Sequence, residues 1–128
     1  MAQPPRVLLV DDEPVLLRLL QVNFRVGGFE VAVAPDGETA LAQAERATPD
    51  AVVLDVLLPG IDGFEVLRRL REAPGTARVP VVMLSAQAQD VDRERGYALG
   101  VDAYVTKPFD PPALLALVRE ALGRASRA

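Results

Sequence analysis

Short apolar runs alternate along the chain with longer stretches in which apolar residues recur every three or four positions. The short runs predict five β-strands, at 6–10, 29–34, 51–55, 79–85 and 101–107. The third and fourth are almost continuously apolar, which is typical of strands covered on both faces. The stretches that follow each run predict five helices, at 13–26, 36–46, 62–72, 89–99 and 111–124. The pattern therefore predicts a β-α unit repeated five times.

Residues that end or begin helices fall where this pattern requires them. Gly100 follows the fourth predicted helix, while Asp62 and Asp110 are placed to cap the third and fifth. Strands that alternate with helices predict an α/β fold, a doubly wound parallel sheet with right-handed crossovers and helices on both faces. We expect a single domain over 1–128, with a tail at 123–128 that frays.

Composition narrows the chemistry that this domain can perform. The net charge of −4 argues against direct nucleic-acid binding, which needs a basic face. No apolar run approaches a membrane span or a secretory signal, so we expect a cytoplasmic protein. The chain has no Cys and no His, which excludes thiolate metal sites and a phosphohistidine of its own. Asp, Glu, Lys, Ser, Thr and Tyr remain to carry chemistry.

Several of these residue types lie at the carboxyl ends of predicted strands, where ligands bind in open parallel sheets. They are Asp11 and Asp12 after the first strand, Asp55 at the end of the third, Ser85 at the end of the fourth and Lys107 at the end of the fifth. The fold would gather them on one edge of the sheet.

Three carboxylates in a small space repel one another unless a cation lies between them. With oxygen ligands and a phosphoryl group as the expected substrate, Mg²⁺ fits best, and Mn²⁺ is an acceptable substitute. A carboxylate neutralised by metal can act as a nucleophile, and Asp55 is best placed to form an aspartyl-phosphate. Lys107 and Ser85 would supply an ammonium and a hydroxyl to the transferred group.

Each of these residues also has an ordinary structural explanation. Asp12 could cap the first helix, Asp55 could be a turn residue, and Ser85 and Lys107 could be surface residues at strand ends. Their joint placement on four strand ends favours the chemical interpretation. Tyr104 fits a core position and a functional position equally well. We expect Phe109 to lie in the core.

Four segments resemble the receiver domains of two-component response regulators. They are V-D-D-E at 10–13, L-D-V-L-L-P-G-I-D-G at 54–63, L-S-A at 84–86 and G-V-D-A-Y-V-T-K-P-F at 100–109. The resemblance covers almost the whole chain. It implies a flavodoxin-like (βα)5 domain with strand order 2-1-3-4-5.

The resemblance also implies roles for individual residues. Asp55 would accept the phosphoryl group. Asp12, Asp55 and the main-chain carbonyl of Leu57 would bind Mg²⁺ directly, and Asp11 would hold a metal-bound water. Lys107 would pair with the phosphoryl group.

Further implied roles concern the response to phosphorylation. Ser85 would donate a hydrogen bond to the phosphoryl group, and Tyr104 would change rotamer as Ser85 moves inward. The Lys107-Pro108 peptide bond would be cis. Leu57 and Gln87 would lie where this family tunes its dephosphorylation rate. Ala103 replaces an acidic residue common in the family, which weakens an interpretation of that face as a dimer interface.

The implied function is a signalling switch that promotes only its own phosphorylation and dephosphorylation. The donor would be a phosphohistidine on a sensor histidine kinase or a histidine phosphotransfer protein, acting in trans because this chain has no His. The phosphorylated form would repack the surface of the fourth helix, fifth strand and fifth helix for an output protein or domain.

Three other functions use the same residues or fold. A metal-dependent small-molecule phosphatase or phosphotransferase would need a second acid or base, and the sequence offers no candidate. A flavodoxin-like cofactor carrier would need a phosphate cradle where this chain has D-D-E-P, at 11–14. A receiver that serves only as a scaffold is disfavoured because all the chemical residues are present.

Overall fold

The computed structural model describes residues 3–86 and 89–127 of the 128-residue chain. Within these residues the strands are β1 (Arg6–Val10), β2 (Glu30–Ala34), β3 (Ala51–Asp55), β4 (Val81–Ser85) and β5 (Ala103–Thr106). The helices are α1 (Pro14–Val26), α2 (Gly37–Arg46), α3 (Gly63–Glu72), α4 (Asp90–Ala98) and α5 (Pro111–Arg127).

The strands form one parallel sheet in the order β2-β1-β3-β4-β5, as the resemblance implied. β1 pairs with β2 on one side, from Arg6 opposite Glu30, and with β3 on the other, from Val7 opposite Ala51. The strand order therefore reverses between β1 and β3. Ligands in open parallel sheets bind at this kind of reversal, beyond the carboxyl ends of the strands.

Side chains that alternate along the buried strands form two separate cores, one on each face of the sheet. On β1, Leu8 and Val10 face the core that includes Leu67 and Leu70 of α3. The second core joins strand residues to α1 and α5, and its members include Val7, Leu9, Leu20, Phe24, Leu114 and Val118. Burial on both faces explains why β1, β3 and β4 are apolar except at one end of each strand.

The first four predicted helices begin one residue too early because their first residues are N-caps in extended conformation, whereas the fifth begins at Pro111 as predicted. Asp36 accepts a hydrogen bond from the Thr39 amide at 2.7 Å, and Asp62 accepts one from the Glu65 amide at 2.9 Å. Asp110 accepts from the Ala113 amide at 3.3 Å, in agreement with its expected capping role.

Other boundaries differ by a few residues for local reasons. β4 begins at Val81 and not at 79, because Pro80 has no N–H to donate to a neighbouring strand. α5 continues to Arg127, so the described part of the expected frayed tail is helical, and its fraying stays a prediction. Phe109 is half-buried against the α1-α5 core, less enclosed than we expected.

No helix within the described residues is long and apolar enough to cross a membrane.

Candidate functional site

The carboxyl ends of β1 and β3 place three carboxylates together at the strand-order reversal. One carboxylate oxygen from each of Asp11, Asp12 and Asp55 lies within 4.8 Å of the other two. Asp11 and Asp55 are buried, at 1% and 3% exposed, whereas Asp12 is exposed. The group therefore has two buried charges and one that faces solvent.

Lys107 brings the cation of this site from the end of β5. Its Nζ lies 3.1 Å from Asp11 Oδ2 and 3.2 Å from Asp55 Oδ2. The Lys107 amide donates to the Ser85 carbonyl at 2.8 Å, which fixes the backbone of the lysine to the end of β4. The peptide bond between Lys107 and Pro108 is cis, as the resemblance implied.

The protonation of these groups reflects burial and mutual charge. Burial raises the pKa of Asp55 to about 6, the Asp11 carboxylate adds to the rise, and Lys107 and the Leu57 amide oppose it. Burial alone would lower the pKa of Lys107, but the carboxylates of Asp55 and Asp11 outweigh it and the pKa is raised. Asp55 is thus a buried carboxylate beside a second carboxylate, and Lys107 offsets the effect of both on its pKa only in part.

The donor set fits a hard divalent cation. Three carboxylates lie around one ammonium group, and burial together with the Asp11 carboxylate keeps the pKa of Asp55 raised in spite of it. All the available ligand atoms are oxygen, which suits Mg²⁺ better than a softer metal. A depression of about 270 Å³ opens over the group and is lined by Asp12, Glu13, Asp55, Leu57, Ala86 and Lys107. This volume leaves space for a hydrated ion and a phosphoryl group.

Ser85 lies farther along the same edge, and Tyr104 lies two residues before the end of β5. Ser85 ends β4, is fully buried and pairs in register with Thr106 of β5. Tyr104 lies opposite Met83 and is 5% exposed, so its ring is part of the core in this structure. The sequence left its core and switch roles equally open, and a buried ring is compatible with both. Gln87 lies outside the described residues.

The helix-capping explanation for Asp12 is wrong. α1 begins at Pro14, its N-cap is Glu13, and no side chain caps it by a hydrogen bond. Asp11, which precedes Asp12, accepts from the Glu13 amide at 2.9 Å. Asp12 therefore has no capping role to account for its position beside two other carboxylates.

Sequence reasoning missed two residues that shape the site. Glu13 Oε1 lies 3.9 Å from Lys107 Nζ and lines the depression. Gly63 follows the Asp62 N-cap, and a Cβ there would overlap the Asp55 carbonyl oxygen and lie 2.8 Å from Val56 Cα. Its amide also donates to the Val56 carbonyl at 2.8 Å. A glycine after an Asp N-cap was the available signal for such close approach.

Together the parallel sheet and its edge of carboxylates, lysine and hydroxyl define an α/β domain that can bind a divalent cation and a phosphoryl group. The chain matches the response regulator receiver domain family over residues 7–119. It therefore belongs to that family and is a receiver domain.

Solved structures and curated sequences agree with this assignment. A response regulator receiver domain protein from Methanospirillum hungatei superposes with a TM-score of 0.91 at 26% identity, over 97% of this chain and 98% of that one. The chemotaxis response regulator CheY4 of Vibrio cholerae gives 0.87 at 30% identity, over 92% and 98%.

The chain is 43% identical over 123 residues to the DNA-binding dual master transcriptional regulator RpaA of Synechocystis, which covers 96% of this chain and 51% of that protein. It is 43% identical over 121 residues to the phosphate regulon transcriptional regulatory protein PhoB of Rhizobium meliloti, covering 94% and 53%. The chain thus spans about half the length of these relatives. None of these similarities supports the small-molecule phosphatase alternative.

Proposed function

We propose that this receiver domain accepts a phosphoryl group on Asp55 and uses the modified site to change a surface that a partner reads. The observation that carries the proposal is the convergence of Asp11, Asp12 and Lys107 on Asp55, a buried carboxylate that lines an open depression. A purely structural role does not account for three carboxylates gathered at one strand-order reversal.

Asp12, Asp55 and the main-chain carbonyl of Leu57 would hold Mg²⁺ directly, and Asp11 would hold it through water. The bound ion would neutralise charge on the phosphoryl oxygens during transfer. Asp55, as the ionised carboxylate, attacks phosphorus. The bond from phosphorus to the donor nitrogen breaks as the bond to carboxylate oxygen forms, and the released imidazole takes up a proton.

Lys107 and Ser85 act on the product. The Lys107 ammonium, now 3.2 Å from Asp55, pairs with the added phosphoryl oxygens, and the Ser85 hydroxyl donates a hydrogen bond to them. Tyr104 changes rotamer as Ser85 moves inward, which alters the face formed by α4, β5 and α5. Attack of water on the acyl phosphate releases inorganic phosphate and restores Asp55.

The donor is a sensor histidine kinase or a histidine phosphotransfer protein, since this chain contains no His. The named relatives are transcriptional regulators, which favours a kinase partner and an output domain or protein in the cytoplasm. The output partner is part of this proposal, because the chain spans only about half the length of these relatives.

The exposed face of α1 supports docking of such a donor. Val15, Leu19, Val22 and Val26 are between 46% and 84% exposed and recur at spacings of four, three and four residues. This spacing suits packing against another helix. α1 begins two residues after Asp12, so the stripe starts beside the site.

The charged residues beside the apolar stripe of α1 favour one kind of partner helix. Arg18 and Arg25 are exposed along one side of it, seven residues apart. A second copy of α1 packed antiparallel would place arginine opposite arginine, which is unfavourable. An apolar donor helix flanked by acidic residues would be complementary.

The proposal is tested by incubating the protein with Mg²⁺ and a small acyl-phosphate donor and measuring its intact mass. We expect the gain of one phosphoryl group, lost when the metal is chelated and in Asp55→Asn. Unchanged labelling of the variant would refute the assignment. Leu19→Glu should keep labelling by the small donor and lose transfer from a phosphorylated kinase, while Val91→Glu, exposed on α4, should keep both.

A further inference from the structure

α4 is held to the domain in a different way from the other described helices. Its one buried residue is Gly96, whereas α3 buries Phe64, Val66, Leu67 and Leu70. The larger apolar residues of α4, Val91 and Tyr97, are 64% and 52% exposed. Burial of its own apolar side chains therefore contributes little to the docking of α4.

Two arginines of α4 lie over aromatic rings of neighbouring elements instead. The guanidinium carbon of Arg95 is 4.3 Å from the ring centroid of Phe64 in α3, and that of Arg93 is 5.5 Å from the ring centroid of Tyr104 in β5. Arg93 Nη1 also donates to the Tyr104 carbonyl at 3.4 Å. Such cation–π contacts are attractive, and more so where the pair is shielded from water.

Gly96 brings the backbone of α4 against the Tyr104 ring. A Cβ at this position would lie 3.2 Å from Tyr104 Cδ2, 3.4 Å from Val101 Cγ1 and 3.6 Å from Met83 Sδ. The space that a side chain would fill is therefore occupied by the buried ring.

Helix geometry gives no other reason for a glycine here. Gly96 is not among the positive-φ glycines, which are Gly28, Gly60 and Gly100. Glycine in a helix interior is less favourable than alanine. Glycine at this position therefore allows the Tyr104 ring to pack closely against α4, and it is not required by the backbone conformation.

We propose that Gly96 is a positioning residue that forms the slot for the buried rotamer of Tyr104, so that a side chain as large as leucine at 96 drives the ring out of the core or α4 off the sheet, whereas alanine shifts them only slightly. The coupling of this slot to phosphorylation rests on the proposed function; the slot itself does not.

The chain has no Trp and two Tyr, so Tyr97→Phe leaves Tyr104 as the sole tyrosine emitter. In that background we would measure quenching of Tyr104 fluorescence by acrylamide, without Mg²⁺ or a phosphoryl donor. Gly96→Leu is expected to increase the quenching constant several-fold. Gly123→Leu, in α5 with open space around it, makes the same change in a helix and should leave quenching unaltered.

Gly96→Ala is a second variant for the case in which Gly96→Leu does not fold. Its Cβ requires neighbouring atoms to shift by only a few tenths of an ångström. It should raise quenching by less than Gly96→Leu while leaving the far-ultraviolet circular dichroism unchanged. Equal quenching in the parent, Gly96→Ala and Gly96→Leu proteins would overturn the proposal. Failure of the unsubstituted protein to accept a phosphoryl group would bear on the proposed function alone, since these measurements use unphosphorylated protein.

Discussion

Replacing Asp55 with Asn should stabilise the metal-free protein, and by more at neutral than at acid pH. Burial and the Asp11 carboxylate raise the pKa of Asp55 from 3.8 to about 6 in the folded state. The folded protein therefore binds this proton more tightly than the unfolded chain does. This tighter proton binding contributes most to the free energy of unfolding below about pH 4. The contribution falls as pH rises through about 6 and stays low above that.

The size of this contribution follows from the pKa shift of Asp55. Each pKa unit is worth about 1.4 kcal/mol, so the full contribution is about 3 kcal/mol, of which about 2 kcal/mol falls between about pH 4.5 and about pH 7. Asn does not titrate. The free energy of unfolding of Asp55→Asn, relative to that of the unsubstituted protein, should therefore increase by about 2 kcal/mol across this interval.

Urea unfolding in the presence of a chelator measures this difference at both pH values. Asp90→Asn, which removes an exposed carboxylate at the start of α4, is the matched control and should show little change between them. If Asp55→Asn changes the free energy of unfolding by the same amount at both pH values, the raised pKa of Asp55 is not the source of the effect.

Two further substitutions test the surroundings of the site. Gly63→Ala should lower the free energy of unfolding by about 1–3 kcal/mol, because the new Cβ meets backbone atoms of Asp55 and Val56. Gly75→Ala has open space and should be neutral or slightly stabilising, and equal urea midpoints for the two variants would contradict the close approach. Lys107→Ala should keep Mg²⁺ binding by calorimetry and lose the phosphorylation-induced change in Tyr104 quenching. Loss of metal affinity would instead mean that the lysine acts mainly in metal binding.

The arrangement of the sheet was largely predictable because apolar periodicity reports burial directly. β1 and β3 match their predicted bounds, and the parallel sheet brings the residues after them to one edge. Asp11, Asp12, Asp55 and Lys107 meet there as predicted from their strand ends. The order of the strands came from the resemblance, since periodicity does not reveal which strands are neighbours.

Features that depend on close packing between elements were not predictable. Glu13 approaches Lys107 across 94 positions of sequence, and nothing local to either residue signals it. Gly63 and Gly96 each leave space for a neighbour whose identity is set by the tertiary fold. For Asp12, local capping rules offered an alternative structural role, which the start of α1 at Pro14 excludes.

The central claim is that Asp55 is the residue that accepts the phosphoryl group, and locating the group within the chain tests it most directly. Reduction of the labelled protein with borohydride converts an aspartyl-phosphate to homoserine, which peptide mass spectrometry can assign to a single position. We expect homoserine at position 55 and Asp at positions 11 and 12. Homoserine at either of those positions, or an unreduced phosphate ester on Ser85, would contradict it.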